Sequence, residues 1–303
     1  MSPFAWVLNL DAEDELARPS TATPSRSLGL RVSRLLPALR GLVGPDDLVL
    51  DELSVRPGQA AGYTGRAWCP TPRALGALRR AGARVPEAPS LAVLQAVNHR
   101  GFAAALGQHL PGAAWVTSRA ALEALWGERG EESPWLLKRP FGYNGRGRLR
   151  VRPGRIALRE WAWIDASFAR GAGLQCEPEV ERVCDLGWHG EIDGAGRCHL
   201  GQPTVQRSDA FGQWAGSDPM PTGVLDAGQA GRFRAVVEAA GEALGRAGYF
   251  GPFGVDGYLW RAAEGVVLQP LSEINARYSM GWAVGWGSLR RGSVDGAGGS
   301  RPG

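Results

Sequence analysis

Apolar positions in this chain come in short runs separated by polar or glycine-rich joints. Residues 4–10, FAWVLNL, predict a buried strand, and 47–50 predict another that ends at Asp51. Between them, 27–40 carries leucines at helical spacing with Pro37 near its end. Residues 71–82 predict a helix opened by Pro72 and stopped by Gly82. This strand–helix alternation predicts a small α/β domain over 1–95. The next region, 96–172, predicts a helix capped by Asn98 and stopped at Pro111, an extended AAWV and a short helix over 119–127. A strand–loop–strand at 135–151 and a helix near 156–171 follow. The third region, 173–287, opens with an extended GLQCEPEVERV and continues as two strands joined by a DGAG turn. Residues 201–223, rich in Gly, Pro, Ser and Asp, predict a long loop. An amphipathic helix over 226–247 and a hairpin with strands at 253–260 and 265–278 complete the region. Residues 288–303 form a low-complexity tail expected to be disordered.

Composition narrows the classes. With 303 residues, 44% hydrophobic and 21% charged, the chain is long and apolar enough for two or three globular domains. The 34 basic and 30 acidic residues nearly balance, and the arginines are scattered, so no nucleic-acid partner is expected. Cys69, Cys176, Cys184 and Cys198 form no C-x-x-C pair and are expected to be reduced thiols. The N-terminus lacks a basic segment, and Asp11, Glu13 and Asp14 break its apolar run, so it is not read as a signal peptide. No apolar run is long enough to span a bilayer. A cytoplasmic protein without a membrane partner is the expectation.

Lys138 is the only lysine among those 34 basic residues. It ends the apolar run WLLK and precedes a loop containing Gly142, Gly145 and Gly147. Such a loop lets backbone N–H groups converge on a phosphate. Its flanks exclude the commoner nucleotide loops: it runs into a strand-like RLRV rather than a helix, and no Gly-Lys-Ser/Thr, HRD or DFG occurs. A β-hairpin lid remains, with a point-charge lysine on its first strand, or else a surface hairpin with no ligand.

The segment SEINARYSMGW (272–282) carries a second pattern. On a strand, Glu273, Asn275 and Arg277 share one face while Ile274 and Ala276 face the core. Carboxylate, amide and guanidinium in line suit a metal-bound triphosphate, with Mg2+ (or Mn2+) taking the oxygen ligands and arginine the phosphoryl charge. Asp256 on the preceding strand can supply the other carboxylate. Pro270 interrupts that ladder and predicts a bulge.

Taken in order, these motifs resemble the ATP-grasp superfamily, typified by carboxylate–amine ligases, over roughly 95–285. The resemblance implies an α/β (α+β) fold, with a small N-terminal α/β domain ahead of a two-lobed grasp that holds ATP. LLKRP is similar to the strand whose lysine touches the phosphates, and FGYNGRG, including Gly142, Asn144, Gly145 and Gly147, to the phosphate lid. LQCEPEV resembles the hinge beside the adenine, implying contacts from Glu177 and the backbone near Val180. The segments GVD and EIN imply metal ligation by Asp256, Glu273 and Asn275, and a phosphate contact by Arg277. Two departures stand out. Arg100 occupies the place of a basic residue that is usually lysine, and the ribose acid is Asp185 or Glu181.

The implied activity is ADP-forming: ATP activates a small-molecule or peptide carboxylate as an acylphosphate, which an amine, or a thiol, then attacks. The other reading is a nucleotide-binding regulatory or scaffold protein without turnover. Arg207 and Trp214, in the expected long loop, are candidates for holding substrate. His189 and His199 read as ordinary strand histidines.

Overall fold

The first apolar run becomes β1 (Phe4–Val7), the middle strand of a three-stranded parallel sheet between β2 (Leu48–Leu50) and β3 (Thr64–Ala67). The computed structural model describes residues 3–128, 133–142, 146–169, 171, 173–208 and 214–287. Both faces of β1 are covered, which is why its sequence does not alternate. Ala5 and Val7 belong to the cluster built on Ala74, Ala77 and Leu78 of α3 (Pro72–Arg80), whereas Trp6 belongs to a larger core. α1 (Ala12–Ala17) and α2 (Leu28–Leu35) cross between β1 and β2. The helix expected over 27–40 ends at Leu35 because Pro37 forces a tighter turn over Leu36–Leu39.

α4 (Leu91–Asn98) and α5 (Arg100–Ala105) lead into the grasp. Asn98 does not cap the second of these helices. It is the last residue of α4, its Oδ1 accepts from the Ala276 amide at 3.0 Å, and His99 caps α5 by accepting from the Gly101 amide. The asparagine thus ties α4 to the segment after Asn275.

The first lobe comprises β4 (Ala114–Val116), α6 (Arg119–Gly127), β5 (Trp135–Lys138), β6 (Arg148–Val151), α7 (Leu158–Phe168) and β7 (Leu174–Pro178). Its antiparallel sheet has the order β4-β7-β5-β6 and buries its own core, including Leu122, Trp135, Leu137 and Ile164. Since β7 pairs with both β4 and β5, the join between lobes falls after Pro178 rather than at 172.

The second lobe is β8 (Arg182–Ile192), β9 (Cys198–Ser208), β10 (Trp214–Pro219), α8 (Ala227–Arg246), β11 (Gly251–Ala262), β12 (Gly265–Asn275) and α9 (Trp282–Trp286). Its antiparallel sheet has the order β10-β9-β8-β11-β12. The long loop expected over 201–223 is replaced in large part by β9 and β10. Pairing of β9 with β8 and of β10 with β9 supplies hydrogen bonds that outweigh the turn-like composition of the segment. Trp6, Leu10 and Leu16 share one core with Trp188, Phe233, Ile274 and Trp282, so the N-terminal domain and the second lobe are packed together although the whole first lobe lies between them in sequence. Among the described residues no helix is long and apolar enough to cross a membrane. The expected tail, 288–303, lies outside the described residues.

Candidate active site

The three units meet at a cavity of about 300 Å3. The first lobe contributes Lys138, Gly142 and Arg148; the second contributes Asp185, Asp256, Glu273 and Asn275; α5 adds Arg100. The lone lysine and the Glu-x-Asn strand, more than 130 positions apart, therefore face one space.

Lys138 ends β5 opposite Arg148 on β6 and Gln175 on β7. Its Nζ lies 2.6 Å from Glu177 Oε2, and both side chains are buried. Residues 175 and 177 share a face of β7, and Gln175 Nε2 donates to the other Glu177 oxygen at 2.7 Å. Burial pulls the Lys138 ammonium below the usual lysine range, and Glu177 works against that shift. Glu177, which does not line the cavity, is thus the counter-ion of the cavity-lining Lys138. Neither Glu177 nor Val180 lines the cavity, contrary to the adenine-contact expectation.

The hairpin turn between β5 and β6 is closed by the Arg139 amide donating to the Gly147 carbonyl at 2.8 Å. Gly147 has φ +74°, and a Cβ on Gly142 would press on the Arg146 carbonyl, so both positions require glycine. Asn144 and Gly145 lie outside the described residues. Arg100 holds the lid's base. Its Nε donates to the Arg139 carbonyl at 3.0 Å, its Nη2 reaches the Gly142 carbonyl at 3.4 Å, and its Nη1 pairs with Glu273 Oε1 at 2.9 Å. It is buried, not solvent-facing.

Asp256 and Glu273 are register partners across the β11–β12 ladder. The pairing then jumps from Asp256–Glu273 to Tyr258–Gln269, so three residues around Pro270 oppose Gly257 alone. This is the bulge that Pro270 predicted, and it accounts for the long spacing between the two carboxylates. A Cβ on Gly257 would stand 2.8 Å from the Gln269 carbonyl, so the bulge requires glycine there. Gln206 Nε2 and Asn275 Nδ2 each donate to Asp256 at 2.9 Å. Burial and the neighbouring Glu273 push the Asp256 carboxyl up to about 6. Two facing carboxylates with an amide oxygen nearby form a hard-oxygen donor set, and a divalent cation bound there would relieve their repulsion. The residues present fit a magnesium-type ion.

Arg277 lies past the end of β12 and lines the cavity, but its fork is spent on Glu13 of α1: Nε donates at 2.8 Å and Nη2 more closely still, while Nη1 donates to the Tyr278 carbonyl. The pair joins the N-terminal domain to the segment that follows β12. Asp185 lines the cavity and accepts from Arg182 at 3.0 Å, whereas Glu181 points outward to Arg261, so of the two ribose candidates only Asp185 reaches the site.

Trp214 lines the cavity, with its Nε1 donating to Ser217 Oγ at 3.0 Å. Arg207 does not line it. Gln206 is its inward neighbour on β9, and strand alternation turns Arg207 to the outer face, where it pairs with Asp218 of β10 at 2.7 Å. The carboxylate-holding role expected of Arg207 is therefore withdrawn. His189 is buried and held neutral by desolvation, with its pKa lowered to about 4, away from the cavity surface.

Residues that pattern reading passed over include Arg148, Arg182, Gln206 and Glu13. Cross-strand pairing marks two of them, since Arg148 sits opposite Lys138 and Gln206 opposite Asp185. Nothing local marks Glu13.

No protein-family model matches the chain, and no curated protein sequence does. Solved structures match over nearly the whole length. D-cycloserine synthetase DcsG is 18% identical with TM-score 0.54, covering 95% of this chain and 98% of its own. D-alanyl-alanine synthetase A from Vibrio cholerae is 11% identical with TM-score 0.52, covering 97% and 95%. N5-carboxyaminoimidazole synthetase from Staphylococcus aureus, solved with ADP, is 9% identical with TM-score 0.50, covering 92% and 72%. The likeness is one of fold, and this chain has the ATP-grasp fold.

Proposed function

We propose that the chain is an ATP- and magnesium-dependent ligase that joins a carboxylate to an amine. The observation that carries this reading is the shared cavity of Lys138, Arg100 and the Asp256–Glu273 pair. Cations able to neutralise phosphates face carboxylates able to hold a divalent ion. The DcsG and D-alanyl-alanine synthetase likenesses support it at the level of fold.

In this reading a substrate carboxylate oxygen attacks the γ-phosphorus in line, the bond to the bridging oxygen breaks, and ADP leaves. The amine nitrogen then adds to the acylphosphate carbonyl. Inorganic phosphate departs, a nitrogen-bound proton is lost, and an amide remains. Phosphoryl transfer asks little covalent chemistry of the protein, so positioning and charge dominate. Lys138, Arg100 and Arg148 offset phosphate charge, and Asp185 is placed to accept from ribose hydroxyls. Asp256, Glu273 and Asn275 would hold Mg2+, which supplies Lewis-acid charge at the phosphates when bound. The hairpin around Gly142 and Gly147 would exclude water from the acylphosphate. Arg100 couples these parts, because the guanidinium that props the lid also touches Glu273.

Incubation with Mg-ATP and pooled carboxylates and amines tests the reading. ADP release that requires both an added carboxylate and an added amine is the expected result. Tight ATP binding without release would favour a nucleotide-binding protein without turnover.

A further inference from the structure

Strand register orders the cavity from one end to the other. On the β8–β11 ladder Asp185 stands opposite Tyr258, Gly187 opposite Asp256 and His189 opposite Gly254; Glu273 and Asn275 of β12 continue the last two rows. Asp185, the ribose candidate, is thus one row to one side of the paired carboxylates, and Gly254 is one row to the other. Each two-residue step is about 7 Å along the strand. Ser279 borders the Gly254 row, since a Cβ on Gly254 would stand 3.1 Å from its Oγ. The segment after β12 therefore lines the end of the cavity away from the ribose side.

Two features of that end point to a ligand. Ser279 is nine-tenths buried, and its Oγ has no hydrogen-bond partner among the described residues. A buried hydroxyl left unsatisfied on a cavity wall is matched to a polar group that a ligand supplies. The second feature is an apolar wall. Leu10 and Trp68, which follow β1 and β3 in the N-terminal domain, belong to the large core and also line the cavity. Leu35 of α2 and Met280 pack against the same core, line the cavity and stay partly exposed. Arg31 and Arg34 line the cavity from α2 as well, and long cationic side chains bring apolar stems with their charge. A triphosphate, a divalent ion and a ribose present only polar groups and have no use for such a wall. Adenine is joined to ribose on the side away from the phosphates, so it falls beyond Asp185.

Resting on the ligase reading, we infer that the acid it activates carries an apolar side group, alkyl or aryl. The acid is the substrate that abuts the carboxylate row, because its own carboxylate must reach the γ-phosphorus in line. Its apolar group lies against Leu35, Trp68 and Met280, and the Ser279 hydroxyl donates to an acceptor on the same molecule. Polar acids of equal size are poor substrates, since they give up hydrogen bonds to water that this wall does not return.

The test uses the full-length protein with hydroxylamine as the fixed amine, so that only the acid varies. ADP release with Mg-ATP is measured for leucine, valine and phenylacetate against asparagine, threonine and succinate. Binding of the same acids is measured by calorimetry with a non-hydrolysable ATP analogue present. The expected kcat/KM is higher for the apolar members by about tenfold or more. Met280→Ser should remove most of that preference, and Met280→Leu, a swap of similar volume, should keep it. The KM for ATP stays near wild type in both. Ser279→Ala should raise the KM of the preferred acid by about fivefold without lowering Tm, because the hydroxyl has no partner in the chain to lose. A lowered Tm with an unchanged KM would make Ser279 structural and remove it from the site. Equal use of apolar and polar acids, or a preference for polar ones, overturns the inference and leaves the ligase reading standing. Absence of ADP release with every acid overturns the ligase reading, and calorimetry then decides the apolar site on its own. An apolar preference that Met280→Ser abolishes supports it, and no preference refutes it.

Discussion

Lys138 and Glu177 are diagonal neighbours on one face of the first-lobe sheet, 2.6 Å apart and both buried. The one ammonium in an arginine-rich chain is therefore held by a carboxylate that a bulkier, forked guanidinium would not fit in the same way. Removing one partner strands the other charge in the interior. Lys138→Ala is expected to lose about 3 kcal/mol of stability or more, by denaturant unfolding, in addition to weakening ATP binding. Lys138→Met/Glu177→Gln should recover most of the stability without recovering the affinity measured by calorimetry. Recovery of both would assign the lysine a purely structural role.

Glu273→Gln removes a carboxylate charge but keeps a hydrogen-bonding group for Arg100. ADP release should fall by about a hundredfold or more, with the remaining activity requiring higher magnesium. A Tm within a few degrees of wild type would show that the loss is chemical. An unchanged magnesium dependence would remove Glu273 from the metal site.

Gly257 sits where the Pro270 bulge presses its backbone against β11. Gly257→Ala must push that backbone aside and should cost about 1–3 kcal/mol. It should also lower turnover, because the register that sets Asp256 across from Glu273 begins at this point. Activity retained at a lowered Tm would mean that the bulge serves stability alone.

Arg277 and Glu13 are 264 positions apart and join the N-terminal domain to the segment that follows β12. A double-mutant cycle with Glu13→Gln and Arg277→Lys should give a coupling energy of about 1–3 kcal/mol in unfolding. A coupling near zero would mean that the two domains are held by their shared apolar core alone.

Glu52 lies buried beside Arg73, Asp11 and Glu15. Burial raises its carboxyl from 4.5 to about 7, Arg73 opposes the rise, and the two other acids add to it. Between those values the folded chain holds a proton that the unfolded chain has released. Its stability contribution is thus full below about pH 4.5 and lost as pH rises through 7. Glu52→Gln cannot ionise, so its Tm advantage over wild type should grow from roughly pH 5 to pH 8, to the equivalent of about 1–3 kcal/mol. A pH-independent difference would show that Glu52 stays ionised throughout.

Local pattern made several features legible before any contact was known. Lys138 and its glycine hairpin, the common side of Glu273 and Asn275, and the Pro270 bulge all follow from strand alternation and backbone restrictions within about a dozen residues. The same reasoning placed α6 and α8 to within one residue at either end, because their apolar spacing and capping residues are local too.

Other features depended on neighbours distant in the chain. Residues 201–208 and 214–219 look like a loop by composition and become strands only because β8 is there to pair with β9, and β9 with β10. Arg207 and Gln206 differ in role by a single position, and only the tertiary structure shows that Gln206 is the one that lines the cavity. Glu177 became a counter-ion through the packing of β7 against β5, and Glu13 reached Arg277 only by the docking of two domains around one core. The sequence by itself determined which side chains travel together along each strand and where the backbone must bend. Which face is buried, and which charge meets which, was decided by tertiary structure, because desolvation and ion pairing act across space without regard to sequence distance.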